Sequence, residues 1–517
     1  MRSLRIVCYA VNGQGVGHLV RLLAISRWLR RYALFAGLRV EITFLTSSEA
    51  DGLLLGERFA SFKIPSKTMV EAAGLDKLAY LALAKQWVWH SLGLLRPDLL
   101  VVDSFPRGSF GELLSALDLA RQRAFIYRPV KADIGGRADF QAMLPLYDAI
   151  LVPEHEADAP VLVPAAAQGK VRHTGPILLG ERFEVLPRAE ARARLGVPDE
   201  ALAVYVSAGG GGDPGAEAQL LGAVAALRDA PGVHVVVAPG PLYRGRWVQG
   251  PGVTWIPHGG SAAFLAGVDL AVCAAGYNTF GELMFAGVPS IFLPQPKIAD
   301  EQDRRAERAV AAGAALLAGG DVRAAVEALR PPGARAAAAA AARALVPANH
   351  ARTAAAELLR LIAPDAAVDA AEAALDDELL ATGVDERALY EAALALAPAA
   401  EPGLRPPRGT RPAALLDLAL GLVRLGAPAR VVNALARKLP AGPPAERAAA
   451  LGAVVDALTP FSDWSGAALF ARSLPPDKQR SLRQQGEHLA ALLGAARARG
   501  EDLYRVAAAV AGEAEAL

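Results

Sequence analysis

Cysteine is almost missing from this chain: Cys8 and Cys273 are the two in 517 residues. Each lies in an apolar, strand-like run, so two buried free thiols are expected rather than a disulfide or a metal pair, with a reducing cytoplasm as the setting. Net charge is missing too. The 54 Lys and Arg balance 53 Asp and Glu, leaving no excess of one sign to draw in nucleic acid. No apolar run reaches the roughly 18 residues of a membrane span. The opening Met1-Arg2-Ser3-Leu4-Arg5 leads into a strand, not into a signal peptide with a cleavage site. No Cys/His pair has metal-site spacing and no Gly-x-Ser-x-Gly elbow occurs. Neither Gly-rich loop ends in Lys-Ser/Thr, which argues against a P-loop kinase.

What is present is ample core. The hydrophobic fraction is 53% and the charged fraction 21%, with alanine supplying much of the apolar excess. The length predicts about three domains. In residues 1–178 strand-like and helix-like segments alternate: Leu4 to Val11, a helix from about His18 to Ala33, then Val40 to Thr46, Leu99 to Val102, Ala124 to Tyr127 and Ala149 to Val152. The pattern restarts in residues 179–364, with strands Ala203 to Ser207, Val233 to Ala238, Val253 to Ile256, Asp269 to Cys273 and Ser290 to Leu293. Strands spaced by helices imply parallel pairing, and ligands in such sheets bind beyond the carboxyl ends of the strands. The fold class is therefore α/β, two Rossmann-like domains, followed by an all-α domain at 365–517 where strand patterns vanish. Ala336 to Ala342, an unbroken alanine run, needs only helix propensity to explain it.

The most informative stretch is Ala274 to Leu283. A strand, a small-residue turn and a helix start make an anion site, because the first helical N–H groups lack intrahelical partners and the dipole is positive there. Asn278 and Thr279 are expected to cap that end. Glu282, one turn in, can direct a carboxylate at a sugar hydroxyl. Phosphate and ribose together suggest a nucleotide. The tetraglycine turn Gly209 to Gly212, between a strand and a helix, suits close backbone contact with a pyrophosphate; its bland alternative is a flexible linker.

The first loop, Gly13-Gln14-Gly15-Val16-Gly17-His18-Leu19-Val20-Arg21, also joins a strand to a helix. His18 opens that helix, where the dipole favours the neutral imidazole a general base needs. It is otherwise a capping histidine without chemistry. Arg21, one turn later on the same face, either clamps a phosphate of the acceptor or forms an ordinary salt bridge. Asp103 ends a strand on the cleft side. It orients His18, acts as base itself, or caps a following helix. In the run Asp300 to Arg305, Gln302 can bind sugar hydroxyls and Arg305 can neutralise phosphate; the alternative is a charged helix surface. Trp28, Leu29, Tyr32, Leu34 and Phe35, interleaved with Arg27, Arg30 and Arg31, either touch a membrane surface or are partly core.

Taken together these residues resemble the two-Rossmann-domain (GT-B) glycosyltransferases, and most nearly the peptidoglycan lipid-linked N-acetylglucosaminyl transferase family and predicted glycosyltransferases near it. The resemblance covers roughly residues 1 to 360. It is most specific in Ala275 to Thr279, Glu282, Gly287-Val288-Pro289 and Gln302 to Arg308, with further likeness in Pro97 to Gly108 and His173 to Pro176. It implies a nucleotide-sugar donor, usually a UDP-sugar, seated on the second domain. Glu282 would hold the ribose. Gly276, Tyr277, Asn278 and Thr279, with Gly210 and Gly211, would hold the diphosphate; the backbone near Ile256 would meet the base, and Gln302 the sugar. Gly15, Gly17 and Arg21 would face the acceptor. Such enzymes need neither metal nor cofactor, because helix dipoles and backbone N–H groups stabilise the departing diphosphate.

The chemistry implied is a single inverting displacement, with His18 or Asp103 taking the proton of a hydroxyl acceptor, which could be lipid-linked at the inner face of the membrane. The loop differs from the doubled-glycine form of the peptidoglycan enzymes. It is closer to the Gly-x-Gly-His-x-x-Arg of related UDP-sugar hydrolases. Hydrolysis, and a silent nucleotide-sugar or partner-binding module, are the alternatives. The helical tail could dimerise or bind a protein.

Overall fold

A computed structural model of the protein describes residues 4–381, apart from 12–14, 36–37, 39, 58, 257–259 and 298–299. Gly13 and Gln14 of the first loop lie outside the described residues, as does the predicted helical tail beyond 381. The chain forms two compact units, residues 1–370 and 371–517. The described part of the second is the end of a helix, Asp365–Ala381.

The first unit contains two parallel sheets. In the first, β1 (Leu4–Ala10), β2 (Val40–Thr46), β3 (Ala60–Lys63), β4 (Leu99–Asp103), β5 (Gln122–Ile126), β6 (Ala149–Val152) and β7 (Val171–His173) lie in the order β3-β2-β1-β4-β5-β6-β7. In the second, β8 (Leu202–Ser207), β9 (Val233–Ala238), β10 (Val253–Trp255), β11 (Leu270–Cys273), β12 (Ser290–Phe292) and β13 (Ala315–Leu317) lie in the order β10-β9-β8-β11-β12-β13. The central strands are mostly Val, Leu and Ala and are buried along their whole length. That is the signature of parallel strands covered on both faces, and it is why they read as continuous apolar runs rather than alternations.

The strand order positions the site. β1 pairs with β2 on one side and β4 on the other. β8 likewise separates β9 from β11. In each sheet the order reverses there, and the loops leaving the two central strands diverge to leave a crevice. In the first sheet those loops carry Gly15 to His18 and Asp103 to Gly108. In the second they carry the tetraglycine turn and Ala274 to Gly276.

Five helices matter below: α1 (Gly17–Phe35), α2 (Lys77–Leu95), α3 (Tyr277–Ala286), α4 (Gln302–Ala311) and α5 (Ala351–Arg360). The last of these follows the second sheet in sequence yet packs on α1, where Arg352 Nε donates to the Tyr32 hydroxyl at 3.0 Å. That packing decides between the two readings of this segment. Trp28, Leu29 and Tyr32 are buried and form no membrane-facing surface; the side chains of Arg31, Leu34 and Phe35 lie outside the described residues.

Three strands escaped the sequence reading. β3 is exposed at every position, so it shows neither an apolar run nor an alternation. β7 and β13 have three residues each. Cys8 and Cys273 are buried free thiols, and burial pushes the Cys8 thiol up to about 12.

Candidate active site

On the first-sheet side, three charged or titratable groups meet at the crevice. His18 lies in the first turn of α1 and Asp103 at the carboxyl end of β4, 85 residues later. Asp103 Oδ1 accepts from His18 Nδ1 at 2.6 Å. An ionised carboxylate only accepts, so the imidazole proton is on Nδ1 and Nε2 keeps its lone pair. Burial lowers the His18 pKa below its ordinary value, and the pull of Asp103 upward does not overcome this, so the ring is neutral near pH 7. Phe105 flanks the ring at 5.3 Å between centroids.

Arg21 is 1% exposed and grips the same carboxylate, Nε to Oδ2 at 2.8 Å and Nη2 to Oδ1 at 2.9 Å. Ser104 Oγ donates to Oδ1 at 2.7 Å. Burial alone would raise the Asp103 pKa; the Arg21 charge and the donated hydrogen bonds reverse that and hold it far below the usual carboxylate range. Ser104 takes φ +62°, a left-handed conformation uncommon outside glycine, which turns the chain immediately after Asp103.

Two expectations change here. No helix follows Asp103 directly, so its carboxylate is not a helix cap; it is the partner of His18 and Arg21. Arg21 is not open to an acceptor phosphate, because its fork is taken by Asp103 and its guanidinium lies 4.9 Å over the Tyr277 ring. Its Nη1 is buried and has no hydrogen-bond partner.

On the second-sheet side, α3 begins at Tyr277 with Gly276 as its N-cap. Asn278 and Thr279 therefore sit inside the first turn, and no side chain caps the helix, contrary to expectation. Both amide atoms of Asn278 are buried and unpartnered. Tyr277 is structural in part: its hydroxyl donates to Pro153 O at 2.6 Å and accepts from Ile177 N at 3.2 Å, tying α3 to the first half. Glu282 lies one turn further, and burial raises its carboxyl from 4.5 to about 7. The Glu282 charge acts on Tyr205, whose hydroxyl donates to Ser261 Oγ at 3.1 Å.

The tetraglycine turn needs its glycines. Gly211 has φ +78°, and a Cβ there would lie 2.3 Å from Pro239 O. At Gly210 a Cβ would come within 3.1 Å of Val16 Cγ2, so this turn faces Val16, between Gly15 and Gly17 of the first loop. Gly17 is the first residue of α1. The Ile256 N–H donates to Val237 O at 2.8 Å, continuing the sheet, and its side chain is in the core.

Gln302 starts α4. Its Oε1 accepts from Gln295 N at 2.9 Å, and its Nε2 lies 4.0 Å from where a Gly276 Cβ would stand. Arg305 donates from Nε to Ala275 O at 3.0 Å and from Nη2 to Asp300 Oδ1 at 2.6 Å. Arg128, from the loop after β5, donates to the same Asp300 oxygen. Sequence reading missed Arg128. Its signal was position: it stands two residues past the carboxyl end of β5, where parallel sheets put ligand-binding groups.

Among the described residues no helix is long and apolar enough to cross a membrane. Exposed large apolar side chains occur on α2 as well as elsewhere: Leu78, Leu83 and Leu94 are 76%, 67% and 83% exposed, and Trp89 is also exposed. Lys77 and Lys85 are on the same helix, and no acidic residue occurs between Asp76 and Asp98.

Comparison with known proteins bears on this geometry. Residues 261–346 match the glycosyltransferase family 28 C-terminal domain, a stretch that contains all of α3 and α4. The chain is 33% identical over 143 residues to a UDP-N-acetylglucosamine--N-acetylmuramyl-(pentapeptide) pyrophosphoryl-undecaprenol N-acetylglucosamine transferase of Desulforudis audaxviator, a match covering 25% of this chain and 38% of that protein. It is 36% identical over 135 residues to the protein of the same name from Mycobacterium tuberculosis strain H37Rv, covering 25% and 33%. The matches thus span little more than a third of these relatives. Among solved structures, the calicheamicin glycosyltransferase CalG4 aligns over 70% of this chain and 99% of its own, with 19% identity and a TM-score of 0.48. The part of the chain that carries α3, Glu282 and Gln302 thus lies within the stretch that is similar to the glycosyltransferase family 28 C-terminal domain.

Proposed function

We propose that the protein is an inverting glycosyltransferase that moves a sugar from a UDP-sugar to a hydroxyl acceptor without a metal. The observation that carries this reading is the His18–Asp103 pair, 2.6 Å apart, standing across the crevice from the start of α3. In the reaction, the acceptor hydroxyl gives its proton to His18 Nε2. Its oxygen attacks the anomeric carbon, and the bond from that carbon to the diphosphate oxygen breaks. The electron pair leaves with the diphosphate, and the configuration inverts. Asp103 holds the Nδ1–H tautomer and stabilises the imidazolium that forms. Arg21 keeps Asp103 ionised.

On the other side the first N–H groups of α3 and the positive end of its dipole receive the diphosphate. The Asn278 amide, buried without a partner, is available to it. Glu282 accepts from the ribose hydroxyls, and Gln302 Nε2, beside Gly276, faces the sugar. The relatives are named for a UDP-N-acetylglucosamine donor and a pyrophosphoryl-undecaprenol acceptor. By that analogy the acceptor here is lipid-linked, and α2 is the surface that meets an anionic membrane: its exposed leucines and Trp89 suit the headgroup boundary and its lysines the negative charge.

The test is product analysis. Pure protein is incubated with UDP-sugars and a panel of polyprenyl-linked and soluble alcohols. Sugar found on an alcohol supports the proposal. Free sugar and UDP without transfer assign hydrolysis, with His18 serving water. No turnover with any donor, and no nucleotide binding, leave a silent module and overturn the reading.

A further inference from the structure

We propose that Arg128 and Arg305 form a phosphate subsite, in which the Asp300 carboxylate holds the place that a substrate phosphate takes. This rests on the nucleotide-sugar reading above. Two guanidinium groups from opposite halves of the molecule converge on a single oxygen, Asp300 Oδ1. All three side chains are largely buried, at 12%, 12% and 16% exposure. Two forked cations on one carboxylate oxygen leave donor capacity over, and a phosphate with three acceptor oxygens matches them better.

The location fits the chemistry. Arg305 Nε is anchored on Ala275 O, one residue before the N-cap of α3, so its charge adds to the helix end. Arg128 is close enough to His18 to depress the basicity of its imidazole. A phosphate between the two arginines therefore lies near both the helix N-terminus and the proposed base. The loop that carries Asp300 is also held from the first half by Lys131, whose Nζ donates to Lys297 O at 2.6 Å. Burial would raise the Asp300 carboxyl, yet the two arginines hold it down at about 2, so it is an anion at every working pH. Displacement exchanges one anion for another of higher charge and leaves no arginine unpaired.

The test uses inorganic pyrophosphate and UDP as probes, titrated calorimetrically into the full chain, with the unfolding midpoint of each variant recorded with and without ligand. Asp300→Asn removes the internal anion while keeping the shape. It should bind pyrophosphate at least several-fold more tightly than wild type. Arg128→Gln should bind it about tenfold more weakly, with Arg128→Lys in between. If Asp300→Asn leaves pyrophosphate affinity unchanged or lowers it, the trio is a structural ion pair and the subsite is refuted. Should that variant not fold, Arg128→Gln with undiminished pyrophosphate affinity refutes it equally. Pyrophosphate that competes with UDP marks the donor diphosphate as the occupant; pyrophosphate that binds beside UDP marks an acceptor phosphate. The two readings fail separately: a wild type that turns over UDP-sugar but shows no gain in Asp300→Asn sinks the subsite alone, and a wild type blind to every nucleotide sinks the nucleotide-sugar reading.

Discussion

The two sides of the crevice are built from different materials. On the first-sheet side, His18, Asp103, Arg21 and Ser104 hydrogen-bond to one another in a buried cluster, with Arg21 Nη1 left unpartnered. On the second-sheet side, the helix start is uncapped, Asn278 has no partner, and burial raises Glu282 to about 7. A closed set of side chains can hold a base in one tautomer and one orientation, which is what proton transfer needs. A set of unsatisfied donors and acceptors is what a polar ligand completes, since leaving such groups buried and unpaired is unfavourable. Under the proposed function, chemistry belongs to one wall and recognition to the other.

The largest expected break in that division comes from His18→Ala. It should lower kcat by roughly 10²–10⁴-fold, the usual worth of a positioned general base, while UDP affinity stays as in wild type. A parallel loss of UDP affinity would mean the walls are not separate. Asp103→Asn should lower kcat by at least about 10²-fold because the tautomer is no longer enforced. It also leaves Arg21 buried beside a neutral amide, so denaturant unfolding should show a loss of about 3–5 kcal/mol. Glu282→Gln should act on the other wall, weakening UDP about 10-fold or more with little change in kcat at saturation, since hydrogen bonds to a charged group are worth about 1.5–3 kcal/mol.

Glu282 also sets a pH dependence. Its pKa is raised, so the carboxylate proposed to accept from ribose exists above about pH 7 and is lost as pH falls through 7. UDP affinity in wild type should therefore fall between pH 8 and 6, and Glu282→Gln should flatten that profile. The smallest effect sharpens the comparison by leaving both walls alone. Leu83→Glu on α2 should reduce binding to anionic vesicles several-fold and leave turnover of a soluble acceptor unchanged.

The sheets were legible because parallel strands buried on both faces must be apolar throughout; β4 and β11 could hardly be anything else. The positions of His18 and Asp103 followed from the same logic, Asp103 at the carboxyl end of a strand and His18 at the start of the helix that follows one. Pair geometry was not legible. Arg21 and Asp103 are 82 residues apart, and Arg128 and Asp300 are 172 apart, so only the strand order brings them together. For the same reason the sequence left Arg21 open between a phosphate clamp and a salt bridge, and only the fold shows its fork taken by Asp103. Asn278 and Thr279 look like caps because they are good capping residues; the N-cap is Gly276, two residues before Asn278, and the helix begins at Tyr277. Burial of Trp28 and Tyr32 depends on a helix more than 300 residues later in the chain.

The most direct test of the division of labour is a calorimetric titration of UDP into wild type, His18→Ala and Glu282→Gln at pH 8. The account predicts equal dissociation constants for wild type and His18→Ala, and one at least about tenfold higher for Glu282→Gln. Loss of UDP binding in His18→Ala with Glu282→Gln unaffected, or no binding of UDP to any of the three, would contradict it.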